Sequence, residues 1–156
     1  MTPATLEIKT AIQVSKAVHE VFEAIADPAQ LSNYFIADST GRIEEGKTLI
    51  WHFPEFSMDV PVRGKKTEKD SYISFEWDGT ENQMTLVEIT LGEQPNGSTL
   101  VTVTEKGMKH TEAGIKWLSG NSAGWANFLA CLKAYLEYGI NLRKGAFDFM
   151  REQKPD

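Results

Sequence analysis

Glu105 stands in phase with Val101 and Val103 in the alternating segment Thr99 to Lys106, so a strand there turns its carboxylate toward the same side as two valines. A carboxylate so placed puts a single acid or base at the mouth of an apolar cavity, where it must be protonated or paired. Arg63 and Lys65, on a middle strand, are candidate partners. The alternative is that the strand end twists outward and leaves Glu105 solvated, the commoner fate of glutamate. Both readings are open on sequence grounds.

Other groups offer less chemistry. His52 falls on the outward phase between Trp51 and Phe53, and His110 lies in the loop after Gly107 near Glu112. A metal centre needs three or four ligands at suitable spacing, and no cysteine pair, HExxH or two-histidine-one-carboxylate pattern is present, so no metal and no cofactor are expected. The single Cys131 sits inside a helical pattern among apolar neighbours with no base beside it, which makes it a small buried hydrophobe rather than a nucleophile. GxSxG, P-loop and GxGxxG motifs are all absent, so no catalytic residue is assigned.

Aromatic side chains form the other candidate site. Trp51, Phe53, Phe75 and Trp77 share the inward phase of two strands, and Val87, Ile89 and Val103 that of two more. Trp117, Trp125, Phe128 and Leu132 come from a later helical segment. With Glu105 these residues could line a cavity for a small hydrophobic molecule between sheet and helix. Ordinary core packing accounts for the same pattern, because a sheet under a helix needs large side chains.

The elements that must position them read as follows. Thr5 to Gln13 alternates as a half-buried strand. Ser15 is a candidate N-cap for a short helix carrying Val18, Val21, Phe22 and Ile25, which ends at Asp27-Pro28. Pro28 suits the first position of a second helical turn bearing Leu31, Tyr34 and Phe35. Strands are expected at Ser39–Ile43, Thr48–Phe53, Ser57–Lys66, Tyr72–Trp77, Met84–Leu91 and Thr99–Lys106, with Pro95-Asn96-Gly97 the clearest hairpin turn. Gly41, Gly46 and Gly64 read as turn or bulge residues. Trp125, Phe128, Leu129, Leu132, Tyr135 and Leu136 then recur at helical spacing up to Gly139. This helix starts at Gly114 or, because Ser119-Gly120-Asn121-Ser122 is a poor helix former, at Asn121.

Together these give an α+β chain: a curved seven-stranded antiparallel sheet wrapped around a long C-terminal helix, with two short helices between strands 1 and 2. Residues 1–139 form the domain. The tail 140–156 carries Leu142, Phe147, Phe149 and Met150 and is expected to dock on the domain or on a partner. The chain's 156 residues and 24% charged content suit one globular domain. Its longest apolar run, Phe128 to Leu132, is far short of the roughly 20 residues of a membrane span. The net charge of -6 gives no footprint for nucleic acid or anionic membranes. The lone cysteine and an N-terminus without signal-peptide character point to the cytoplasm.

Four segments carry a family resemblance. They are Asp27-Pro28-Ala29-Gln30-Leu31-Ser32-Asn33-Tyr34-Phe35, Tyr72-Ile73-Ser74-Phe75-Glu76-Trp77, the run from Gly97 to Gly107, and Gly124-Trp125 heading the last helix. In this order they resemble the START-like (SRPBCC, helix-grip) superfamily. Within it the similarity is to homologues of the C-terminal domain of activators of the heat-shock-protein-ninety ATPase, over about Leu6 to Gly139. The resemblance implies a helix-grip fold and non-enzymatic binding of a hydrophobic or amphipathic molecule between sheet and helix. It also implies an alternative, a protein-interaction module with a chaperone or a second copy as partner, and more remotely a cavity cyclase or hydrolase-type enzyme. The eukaryotic activators also carry an N-terminal chaperone-binding domain, for which 156 residues are expected to leave no room, so chaperone activation itself is not the expected role.

Overall fold

The computed structural model describes residues 5–151. The last part of the expected tail, 152–156, lies outside the described residues, as do residues 1–4.

Strand β1 (Thr5–Val14) is followed by α1 (Val18–Ala26) and the single turn α2 (Pro28–Leu31). Ser15 does not cap α1. Ala17 holds the N-cap position without a side-chain bond, and the Ser15 N–H instead donates to Glu137 Oε2 at 3.0 Å. Asp27, held extended by Pro28, ends α1 and caps α2 through the Ala29 N–H. Strands β2 (Asp38–Ser39), β3 (Thr48–His52), β4 (Val60–Glu68), β5 (Tyr72–Asp78), β6 (Met84–Glu93) and β7 (Thr99–Lys109) follow, and α3 (Glu112–Tyr138) closes the domain.

The sheet runs β1-β7-β6-β5-β4-β3-β2, every neighbouring pair antiparallel. Its last members are sequential hairpins, while β1 returns to the opposite edge beside β7. Two expected strands are shorter than their sequence patterns suggest. The second pairs only through Asp38 and Ser39, because the Ser39 hydroxyl turns back to the Gly41 carbonyl and the chain leaves the ladder. The fourth begins at Val60 because Phe53–Phe56 closes a turn instead. Gly64 marks a register shift in the β4–β5 pairing, and an added Cβ there would lie 1.9 Å from the Glu44 carbonyl oxygen. That close crossing is what the glycine permits.

Helix α3 covers one face of the curved sheet. Thr111 Oγ1 caps its N-terminus through the Gly114 N–H, and Gly139, at φ 67°, ends it in the left-handed conformation. The helix runs unbroken through Ser119-Gly120-Asn121-Ser122, since buried Trp117 and Trp125 anchor it on either side and packing outweighs propensity. Beneath it lies the core formed by the inward faces of β3, β5, β6 and β7 with Phe128, Leu129 and Leu132.

Candidate functional site

Cross-strand register sets one row of residues, Ile8, Glu105, Val87, Phe75 and Gly64, across β1, β7, β6, β5 and β4. The neighbouring row holds Thr85 opposite Trp77. Glu105 therefore points into the core, and it is fully buried at 0% exposure. The alternative of a solvated strand end is overturned: β7 keeps its alternation through Glu105 and runs on to Lys109, its phase shifting only past a bulge at Gly107.

Its carboxylate is satisfied by four neutral donors. Trp77 Nε1 and Thr85 Oγ1 donate to Oε2 at 2.8 and 2.6 Å, while Trp125 Nε1 and Asn121 Nδ2 donate to Oε1 at 2.8 and 3.1 Å. Asn121 and Trp125 are one helical turn apart on α3 and reach down together. Neither candidate partner from β4 takes part: Arg63 faces Asp78 at 3.8 Å and Lys65 faces Glu76 at 2.9 Å. Such an arrangement suits an ionised carboxylate, which only accepts.

Three of these four donors also form a wall. Trp77, Asn121 and Trp125 border a cavity of about 500 Å³ that opens beside the N-terminal half of α3. Phe53, Glu55 and Phe56 from the β3–β4 connection and Phe35 after α2 form a second side. Gly120, Ala123 and Gly124 form a low ridge on the helix, with nothing within 4 Å of an added Cβ at either glycine. Arg143, Phe147, Phe149 and Met150 of the tail cross the remaining side.

The tail is fastened by charge. Arg143 forms a bidentate pair with Glu55, at 2.8 Å to Oε1 and 3.1 Å to Oε2, with side chains only 11% and 3% exposed. Its guanidinium lies 5.9, 5.6 and 5.1 Å from the ring centres of Phe35, Phe53 and Phe147. Arg151 adds a bond to the Pro54 carbonyl at 2.9 Å.

The twelve residues singled out from sequence divide by place. Phe53, Trp77 and Trp125 border the cavity. Glu105 lies directly behind it. Trp51, Phe75, Val87, Ile89, Val103, Phe128 and Leu132 are buried in the core, and the first two join the ring stack that backs Trp77. Trp117 borders a separate surface depression with Asp78 and Thr80. Sequence reasoning did not find Asn121, Glu55, Arg143 or the Gly120–Gly124 ridge. The glycines left a trace as an anomaly of propensity at i and i+4, whereas the Glu55–Arg143 pair joins residues too far apart in sequence to leave one.

Other titratable groups stand elsewhere. Both ring nitrogens of His52 face carboxylates, Asp38 at 2.5 Å and Asp59 at 2.6 Å, and those two bonds raise its pKa above the usual imidazole value. Cys131 is buried, and burial pushes its thiol up, away from nucleophile behaviour. His110 is exposed in the turn before α3. Among the described residues no group of three or more histidine, cysteine, aspartate and glutamate side chains could hold a metal ion, and no helix is long and apolar enough to cross a membrane.

A curved antiparallel sheet gripping one long C-terminal helix, with the cavity at their junction, defines the START-like class of α+β domains. Residues 17–137 match the model of the family described as Activator of Hsp90 ATPase homolog 1-like protein. The chain belongs to that family. Protein SSP2350 from Staphylococcus saprophyticus is 32% identical, with a TM-score of 0.76 over 88% of this chain and 96% of that one. The Aha1 dimer from Colwellia psychrerythraea is 18% identical, with a TM-score of 0.72 over 86% and 98%. DynU16, a protein in the dynemicin biosynthetic locus, is 23% identical, with a TM-score of 0.75 over 86% of this chain and 48% of its own. The latter two likenesses are of fold. No curated protein matches the chain.

Proposed function

We propose that this protein binds a small hydrophobic or amphipathic molecule, without chemical conversion, in the cavity between the first half of α3, the β3–β4 connection and the tail. One observation carries the reading: a space of about 500 Å³, within the range of small-molecule sites, is walled by aromatic side chains and two helical glycines. Glycine within an exposed helix face costs up to about 1 kcal/mol relative to alanine, and no packing requirement explains it at Gly120 or Gly124. Room for a ligand does.

Phe53, Trp77 and Trp125 are the ligand-contacting residues among those foreseen, joined by Phe35, Phe56 and Phe147. Native mass spectrometry of gently purified protein, followed by denaturing extraction, tests the reading. A co-purified apolar or amphipathic molecule near one per chain, lost in a Gly124→Leu variant that keeps its fold, is the expected result. A chain that purifies empty and takes up no aromatic or aliphatic probe would contradict it.

A second reading draws on the surface. Phe149 is 82% exposed, and Ile140, Leu142 and Met150 are about half exposed, an apolar group that also suits a protein partner or a second copy. Sedimentation across a concentration series tests the second copy, with self-association weakened by Phe149→Ser as the supporting outcome and a monomer throughout as the opposing one.

A further inference from the structure

The cavity also carries a preference of charge. Resting on the binding reading above, we infer that the site is built for a ligand bearing a positive charge, an aromatic or aliphatic amine rather than a carboxylate or a phosphate ester. Three features point the same way.

First, the charges at the site do not cancel. Among its lining residues only Glu55 and Arg143 are charged, and they neutralise each other. Glu105 then stands uncompensated one side chain behind the wall, its partners Trp77, Thr85, Asn121 and Trp125 all neutral. The two indole N–H groups can only donate, one to each carboxylate oxygen, and Asn121 Nδ2 and Thr85 Oγ1 complete a ring of donors aimed at the acid. Its field, little screened in a buried setting, falls on the cavity.

Second, the rings at this site already hold a cation. The guanidinium of Arg143 lies over Phe35, Phe53 and Phe147 within 5.9 Å of each ring centre. The chain's own side chain thus shows which charge these faces favour. Trp77 and Trp125 remain on the opposite wall, ring centres 5.5 Å apart, with their N–H edges turned to Glu105. An indole donating to an anion has a more electron-rich face, and so a stronger attraction for a cation in the cavity.

Third, the net charge of -6 draws cations toward the molecule and holds anions off.

The test uses three probes of one shape and different charge: 1-naphthylmethylamine, 1-naphthalenemethanol and 1-naphthoic acid. Each is titrated by calorimetry into the full chain at pH 7 in about 0.3 M salt, which screens exposed charges. The amine is expected to bind at least about tenfold more tightly than the acid, with the alcohol between them. Gly124→Leu should abolish binding of all three, which assigns the preference to the cavity. Glu105→Gln, if it folds by circular dichroism, should shrink the ratio of amine to acid toward one. The wild-type series stands without that variant. Acid binding as tight as amine, with both lost in Gly124→Leu, overturns the charge inference and leaves the binding reading intact, whereas a preference that survives Gly124→Leu overturns both. Failure of all three probes to bind overturns both.

Discussion

At Glu105 a single side chain ties sheet and helix together, because the four groups that satisfy it come from β5, β6 and α3. Glutamine has the same shape but presents an amide NH2 where two of those donors point. Glu105→Gln should therefore destabilise the fold by about 3 kcal/mol, as breaking a buried charged network does. Urea denaturation measures this, and a loss under about 1 kcal/mol would mean that the network relaxes freely. His52 makes a prediction about pH. Both of its ring nitrogens meet aspartates, which requires the protonated ring, and its folded pKa is raised by Asp38 first and Asp59 second. The contribution is complete below the unfolded value of about 6.5 and is lost as pH rises through the higher folded value. Thermal melts of wild type and His52→Gln should accordingly converge as the pH is raised above neutrality. A constant offset would show that the two aspartates do not sense the ring's charge. The inward phase of Glu105 was legible in the alternation with Val101 and Val103. Its burial was not, because the indole and amide donors that make burial tolerable come from other elements.

Helix α3 carries the clearest conflict between local preference and tertiary structure. Ser119-Gly120-Asn121-Ser122 argues for a break, yet the helix is continuous, since Trp117 and Trp125 lock its two halves onto the sheet. Gly120→Ala and Gly124→Ala should each stabilise the protein by about 0.5–1 kcal/mol, there being nothing for the added methyl to strike. They should also weaken ligand binding progressively, so a stability gain with unchanged binding would separate the glycines from the site. The tail offers a second test. Arg143→Ala strands Glu55, only 3% exposed, without its partner. Hydrogen exchange should then rise selectively over residues 140–151 while the sheet keeps its protection, and uniform exchange would contradict the tail's attachment through this pair. Strand periodicity and turn residues disclosed β1 and β5–β7 to within a few residues. They overextended the second strand, where a serine hydroxyl turned back on the chain is stronger than the Ser39–Ile43 alternation.

For the whole molecule, the order of elements and the family segments were enough to give the helix-grip architecture, because each hairpin has a local signal and only the return of β1 to β7 is long-range. The cavity was not readable in the same way. Half of the inward-facing strand aromatics, Trp51 and Phe75, went to build the core, and the open space lies where α3 meets Phe53–Phe56 and a tail fastened by Glu55 and Arg143. Sequence alternation tells which way a side chain points, and is silent on which interior positions are left unfilled. If this space is a ligand site, a small apolar probe must enter it. The most direct measurement is backbone amide NMR during titration with the neutral probe 1-naphthalenemethanol, repeated on Gly124→Leu. Saturable shifts concentrated at Phe53–Phe56, Gly120–Asn127 and Arg143–Met150, absent in the variant, are expected. Shifts confined to the exposed side of the tail, or equal shifts in both proteins, would contradict it.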